Sequence, residues 1–556
     1  MAKKKPDVNE IKAMEIERKE KYYSKMRENF LLCKDYYDGN IPVPVPKGFE
    51  KYVPPTARAI VDVLVDNYIT QNPMVTVDRK SDKDVEQQHA DKMEKFYNAI
   101  MRENALRNVM PPEREGAKQL GIYGMCAFKG PYIDYRYKSD GKDSDLFPFR
   151  YKAINVFSIL PSPSFFWEGH GDVIESYEKT VGEVRLLWPK YKGGSKKDSE
   201  IVKCLQYTND DYIINIVDDE EVNAKINKFG FIPYKIGFNG MGLLTDKPED
   251  MAVGILLPVI SSLKLEARMK SAADAIMQVV AYPILKTNVN PNTLKLEITP
   301  GFLNYVPDDT KVEPLYELKI PNDVYQNIGM VRDDIEHATM SKVIYGERPP
   351  GVTSGYHQRA LTSQVQLKFQ QGISTLQNNL SEILGNCAKL MENIMPEPIT
   401  IWGQLPTGYY EETIKPEEIK GYYRCKVKLE STKPEENERK SLSGLEIYNA
   451  GAISLKRYHE EYAGVADHTS EFKQMLVEGI MKQPPILEAL AKAAVKDWGL
   501  EEYITAEKEN AQAGGGQPGQ PTPASVMGMP IGNVAQPAEP GSFEEQELLR
   551  RQMGVA

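Results

Sequence analysis

Cysteine is scarce in this sequence and never closely paired: Cys33, Cys126, Cys204, Cys387 and Cys425 are the only five in 556 residues. Such spacing supports neither a disulfide framework nor a metal knuckle, and a reducing compartment fits it best. Long apolar runs are missing as well. The longest, Met251 to Ile260, is about half of a bilayer span, so no membrane helix is expected. Met1-Ala-Lys-Lys-Lys-Pro6 is basic, but no apolar core follows it, so no secretion signal is read there. A surplus of cations is also absent. With 69 Lys and Arg against 79 Asp and Glu, the formal net charge is -10. That argues against a protein that grips nucleic acid tightly, because neutralising phosphates takes Lys and Arg. It permits one that DNA slides past.

The motifs of catalysis are equally thin. No phosphate loop is present, and Gly193-Gly194-Ser-Lys-Lys197 lacks the spacing that sets backbone amides around a phosphate ahead of its lysine. Gly351-Val-Thr-Ser-Gly355 mimics a nucleophile elbow, but Thr353 holds its centre and Pro349-Pro350, not a strand, precedes it. His459-Glu460 has Ala463 where a zincin needs its second histidine, which leaves a histidine on a helix surface. Ser139-Asp-Gly-Lys-Asp-Ser-Asp145 reads as a solvated hairpin turn, since no bidentate glutamate follows at calcium-loop spacing. The sequence therefore yields no catalytic set, no metal site and no cofactor, and the chain reads as non-enzymatic.

What is present is a globular composition, 41% hydrophobic and 27% charged, in a chain long enough for roughly three to four units at about 150 residues each. The 31 Tyr suit broad, half-wet contact surfaces. From Val8 to Asp38, Tyr22, Met26, Phe30, Cys33 and Tyr37 recur at helical spacing, predicting a long surface helix that ends at Asp38-Gly39-Asn40. Thr56 can cap a second helix carrying Ile60, Val63, Leu64 and Tyr68, followed by a strand at Met74 to Val77. Two helices fill Lys83 to Leu120. Strands then dominate: Met125 to Tyr137, Val156 to Leu160, Val173 to Val181, Ile201 to Tyr207, Tyr212 to Val217 and Phe231 to Phe238, with Asn209-Asp210 turning one pair. Helices, a block of strands, then helices again reads as α+β and not as a nucleotide-binding parallel sheet.

The centre predicts a helix from Pro248 to Val280, roughly 50 Å at 1.5 Å per residue, kinked or interrupted at Pro258. A Pro-rich insert with brief strand-like pieces follows, Ile284 to Lys319. The next helix shows Val324, Ile328, Val331, Ile335 and Ala338 on one stripe. A breaker-rich loop, Gly346 to Gly355, precedes a helix of about 38 residues on which Leu361, Val365, Phe369, Ile373, Leu376, Leu380, Leu384, Cys387 and Met391 hold helical spacing. Strand-like Ile399 to Trp402 and Tyr422 to Leu429 come next, then short helices from Lys440 to Asp497. Ala511 to Gly541 is Gly, Pro, Gln and Ala with almost no charge, a composition predicted to be disordered, and Ser542-Phe-Glu-Glu545 opens a short helix in a plain soluble tail.

Charges on the central helix form i,i+4 pairs, Glu266 with Lys270 and Lys270 with Asp274, beside Lys264 and Arg268. A solvated face is the plain reading. The small residues Ser271, Ala272, Ala273 and Ala275 also let neighbouring helices approach closely, as copies of one helix in a ring must.

The order helix, Pro/Gly-rich insert, helix, breaker loop, very long helix resembles the stem, clip, second stem helix, tunnel loop and long kinked helix of tailed-bacteriophage portal proteins. Tyr36-Tyr-Asp-Gly39, Gly121-Ile-Tyr-Gly124-Met-Cys-Ala-Phe128 and Asn155-Val-Phe-Ser-Ile-Leu-Pro161 are similar to that family's wing segments. Pro349-Pro-Gly-Val-Thr-Ser-Gly355, running into Leu361 and Lys368, is similar to its tunnel-loop boundary. Gly451-Ala-Ile-Ser454 through Gly464 resembles a crown segment in which a Gly-x-x-Ser turn starts a helix. Each signature is short, and their weight lies in their order over roughly residues 22 to 500.

The resemblance implies a portal fold divided into an extension and wing (1–247), stem helix (248–281), small α/β clip (282–320), second stem helix (321–345), tunnel loop (346–356), long helix with wing return strands (357–432), helical crown (433–509) and tail (510–556). It implies a ring of about twelve copies at the capsid vertex, in the virion, assembled in the host cytoplasm. DNA is packaged and ejected through the ring without sequence recognition. The implied partners are the terminase large subunit, then the head-to-tail adaptor, with the major capsid and scaffolding proteins around the wing. Arg348, Pro350, Gly351, Val352, Thr353, Ser354 and Gly355 would meet DNA at the tunnel loop, and Lys264, Arg268 and Lys270 would line the stem channel. A virion scaffold or adaptor that never encloses DNA is the alternative, separated by whether the purified chain forms rings. A nuclease or protease lacks its acid cluster or nucleophile set.

Overall fold

The computed structural model describes residues 5–45, 47, 49–69, 73–78, 80–81, 84–134, 147–163, 171–245, 247–281, 285–288, 311–314, 322–340, 355–395, 397–405, 408–429, 434–463 and eight positions from 472 to 485. Residues 1–471 form one compact unit and 472–556 another. In the first unit all pairings among the described strands are antiparallel, and helices and strands are segregated along the chain, so the fold is α+β.

The N-terminal helix runs in two pieces, α1 (Val8–Glu17) and α2 (Ser24–Tyr37), joined by a π turn at Arg18–Tyr22. One face of it is buried, through Ile11, Tyr23, Met26, Phe30, Cys33 and Tyr36; the predicted Met26, Phe30 and Cys33 are on that face, with Tyr23 and Tyr36 where Tyr22 and Tyr37 were expected. Gly39 closes α2 with φ +81°, as its turn signature predicts. Helix α3 (Thr56–Tyr68) begins at Thr56 itself, and the expected side-chain cap is absent. The Thr56 hydroxyl instead donates to Glu266 Oε1 at 3.3 Å.

After β1 (Met74–Thr76) come α4 (Asp84–Arg107) and α5 (Pro112–Tyr123). Strands β2 (Met125–Ile133) and β3 (Phe149–Ala153) follow, then the short β4 (Ile159–Pro161) and β5 (Asp172–Thr180). A turn of helix, α6 (Val181–Leu187), leads to β6 (Ile201–Asn209), β7 (Tyr212–Val217), β8 (Glu220–Ile226) and β9 (Tyr234–Phe238). These make a five-stranded sheet, β4-β5-β6-β7-β8, and a three-stranded one, β3-β2-β9. The predicted turn between β6 and β7 is held by Asn209 Oδ1, which accepts the N–H groups of Asp211 at 3.0 Å and Tyr212 at 2.6 Å.

The predicted helix is interrupted and not kinked: one turn, Pro248–Met251, is followed by a break at 252–256 before the helix restarts. Pro258 is not inside a continuous helix. It lies in a 3-10 turn, Leu257–Val259, that opens α7 (Ile260–Ala281), where its missing N–H costs nothing. Strands β10 (Leu285–Thr287) and β11 (Val312–Pro314) pair beyond it, and α8 (Asn322–Ala338) returns. The 39-residue α9 (Gly355–Asn393) is the main beam of the unit. From Phe369 onward every position on its predicted stripe is buried; Leu361 and Val365 lie where side chains are outside the described residues. Strands β12 (Ile399–Leu405), β13 (Gly408–Ile414) and β14 (Lys426–Lys428) precede α10 (Pro434–Asn449).

One large core joins α3, α4, α5, the bases of α7 and α8, α9 and β14. A second packs α1 and α2 on the five-stranded sheet. The predicted Gly-x-x-Ser turn starts a helix: Gly451 has φ +74° and Ser454 Oγ accepts from the Arg457 N–H at 3.2 Å. His459 is buried beside Tyr458 instead of lying on a helix surface. The predicted tail and the Ser139 to Asp145 turn lie outside the described residues, as do the helices predicted after 463 except for positions 472, 475–477, 479–480 and 485, which are helical.

Candidate functional site

The site indicated by the sequence is the α7–α8 hairpin and the loop beyond it. Its base is locked into the core by Leu263, Ala267, Ser271 and Ala273 on α7 and by Ile335 on α8. Ser271 Oγ accepts the Tyr52 N–H at 2.9 Å and donates to the Tyr52 carbonyl at 3.0 Å. Ser271 and Ala273 are thus consumed inside the chain, while Ala272 faces solvent.

The three stem cations divide. Lys264 and Arg268 are exposed. Lys270 is half-buried, with its ammonium 2.6 Å from Glu266 Oε1, and Glu266 is wholly buried. The second predicted pair does not form: Asp274 accepts from Gln278 Nε2 at 2.8 Å, since Lys270 is already drawn to the buried carboxylate. Of these three, Lys264 and Arg268 are therefore the ones exposed to solvent.

Past Ala273 no described side chain of α7 is buried, and on α8 only Ile335 is. Met277 and Val280 on α7, and Tyr325 and Met330 on α8, are each about half exposed. The helices run antiparallel and touch here through Tyr325 Oη and Met277 Sδ at 3.9 Å. The distal hairpin therefore carries four half-exposed apolar side chains among polar ones such as Gln326, Asn327 and Arg332.

Lys368 ties α8 to α9. Its ammonium donates to the Ala338 carbonyl at 2.7 Å and the Thr339 carbonyl at 3.1 Å, capping the end of α8, and burial pushes its pKa down. Of the tunnel-loop residues, Arg348, Pro350, Gly351, Val352, Thr353 and Ser354 lie outside the described residues; Gly355 is the first residue of α9.

Among the described residues no group of three or more His, Cys, Asp or Glu could hold a metal ion, and no helix is long and apolar enough to cross a membrane. All five thiols are free and buried, and burial raises them, Cys204 to about 11 and Cys33 to about 12. No family model matches the chain, and neither does any curated protein.

Proposed function

We propose that this chain is one subunit of the portal ring of a tailed bacteriophage, forming the vertex channel through which DNA is packaged and released. The observation that carries the reading is the α7–α8 hairpin: rooted in the core, tipped by the β10–β11 pair, and apolar at Met277, Val280, Tyr325 and Met330 where its own chain does not cover it. Half-exposed apolar side chains on a hairpin rooted in the core are suited to a partner's surface. A cyclic array supplies one, because each copy covers the hairpin of the next and the ring closes. The chain order agrees with the reading: hairpin helix, tip, returning helix, a connector at 341–354, then the long α9 running back into the core. Lys264 and Arg268 would face the channel, with Arg348 and the loop to Gly355 against DNA. Clip contacts go to the terminase motor and later the adaptor, and wing contacts to the capsid. The net charge of -10 suits a conduit that DNA passes without being held.

Native mass spectrometry of the full chain tests the reading. About twelve copies of 62.8 kDa, a particle of roughly 750 kDa, is the expected species. Monomer and dimer alone across salts and concentrations would refute the ring.

A further inference from the structure

Strand β4 has three residues and its neighbour β5 has nine. Their register pairs Ile159 with Glu175, Leu160 with Ile174 and Pro161 with Val173, and ends there. Upstream of Ile159 the chain leaves the sheet in a 3-10 turn, Val156–Ser158. Asn155 holds that turn: its side chain accepts the Phe157 N–H at 3.0 Å and its carbonyl the Ser158 N–H at 2.9 Å. From Ser176 to Thr180, therefore, β5 has β6 on one side and, among the described residues, no strand on the other.

The direction of its free backbone groups follows from alternation. The Asp172 carbonyl accepts from the Ser162 N–H, toward β4, so Ile174, Ser176 and Glu178 turn their N–H and C=O the same way. Val181, of the opposite parity, donates to Glu200 on the β6 side. Ser176 and Glu178 thus present ladder groups to an open edge.

A cavity of about 880 Å³ lies at this edge, within the size range of ligand sites. Its walls come from both faces of the sheet. Lys203 stands opposite Glu178 and shares its face with Ser176, whose Oγ accepts from Lys19 at 3.3 Å. Lys129 bonds Glu175 on the other face and stands across from Lys152 in the β2–β3 register. A space bounded by both faces of a strand is the slot in which the next strand would sit.

That slot is basic in an acidic molecule. Six cations line it, Lys19, Arg27, Lys129, Lys152, Lys179 and Lys203, against two carboxylates, Glu175 and Glu178; behind the wall Glu15 pairs with Lys19 and Lys203, and Glu183 with Lys179, which still leaves the cations in excess. Glu175 is buried and already engaged by Lys129 and by the Tyr234 hydroxyl at 2.7 Å. Lys152 makes no ion pair with a described residue, and like charges directly across a strand pair are unfavourable. Desolvation, with Lys129, Lys179 and Arg150 nearby, pushes its pKa down.

We propose that this slot takes an extended acidic segment of a partner protein as an added strand alongside Ser176 to Thr180. Side chains of an added strand alternate between two faces, and here both faces present cations, so carboxylates are favoured at successive positions. Main-chain bonds to Ser176 and Glu178 supply affinity, and the lysines supply selectivity. Nucleic acid fits less well: phosphate oxygens can accept from the free N–H groups but leave the free carbonyls without donors. The occupant comes from another protein, because this chain's longest acidic run, Asp218-Asp219-Glu220-Glu221, is folded into the β7–β8 turn. Every group that forms the slot belongs to one copy, so it does not depend on ring formation.

The test is fluorescence anisotropy of the full chain at low ionic strength with labelled hexaglutamate. Binding is expected, weakened at least tenfold by Lys152→Glu and by full backbone N-methylation of the peptide. Glu178→Pro should weaken it as much, because the lost N–H points away from β6 and the native ladder is kept. Hydrogen exchange across residues 172–181 should slow when the peptide binds. If the proline variant failed to fold, the N-methyl comparison on the unaltered protein would still decide. Equal binding of the N-methylated peptide, tighter binding of a single-stranded DNA hexamer in competition, or no binding of hexaglutamate up to millimolar concentration would each overturn the proposal.

Discussion

At the scale of single residues, two pairs of groups show how burial divides chemically similar side chains. Lys270 neutralises the buried Glu266, whose Oε2 has no hydrogen-bond partner among the described residues. Truncating Lys270 leaves a buried carboxylate uncompensated, so Lys270→Ala should cost about 2 kcal/mol. The exposed Lys264→Ala and Arg268→Ala should stay within about 0.5 kcal/mol of the parent in urea unfolding. Glu15 and Glu113 are both buried but titrate in opposite senses. Burial opposes the charge of Glu15, yet hydrogen bonds and charges from Lys19 and Lys203 outweigh it and hold its pKa below the usual carboxylate range. Its contribution is present in full above the unfolded carboxylate pKa and is lost as pH falls through the folded value. Glu113 is raised by burial, so its contribution is complete below the unfolded pKa and is lost as pH rises through the folded one. Calorimetry from pH 4 to 7 should therefore show Glu113→Gln gaining on the parent as pH rises. Glu15→Gln should instead lose ground as pH rises from acid toward the unfolded carboxylate pKa and hold level above it.

At the scale of elements, α9 is seated by glycines on both partners. A Cβ on Gly385 would overlap the Tyr423 carbonyl, and one on Gly237 of β9 would overlap Thr375 and Asn379. Gly385→Ala meets backbone, which cannot yield as a flexible side chain does, and should destabilise by about 1 to 3 kcal/mol, read from the shift of a denaturant midpoint. None of this was legible in the sequence, because a glycine that admits a neighbouring backbone carries no periodic signal. The stripe from Phe369 to Met391 was legible, since many turns of one helix repeat a single pattern. So were the Gly39 and Asn209 turns, whose chemistry is local. The break before α7 was half legible: Pro258 signalled an interruption or a kink, and it stands in the first turn of the restarted helix. Strands β3 and β8 escaped because Phe149–Ala153 is short and Glu220–Ile226 carries the charges of a sheet edge. The basic slot could not be read either, as its cations span residues 19 to 203 and meet only through sheet pairing and the packing of the N-terminal helix on the sheet.

At the scale of the whole molecule, the stem surface decides between a lone chain and a ring. Met277, Tyr325 and Met330 make few contacts within their own copy, with exposures of 51%, 52% and 58%. Met277→Glu combined with Met330→Glu should leave the unfolding transition of the isolated chain nearly unchanged. The same pair should abolish assembly, because charges would be buried without partners at each interface between copies. Sedimentation velocity reads the difference. In the tunnel loop, replacing Pro350 to Ser354 with a Gly-Ser linker should preserve assembly and impair packaging or retention of DNA; a full genome held at the normal rate would leave the loop a mere connector. The most direct measurement is negative-stain electron microscopy of the purified full chain. End-on views with rotational symmetry, about twelve-fold, around an open centre wide enough for duplex DNA are expected. Isolated particles at every concentration, or closed assemblies with no central opening, would contradict the portal function.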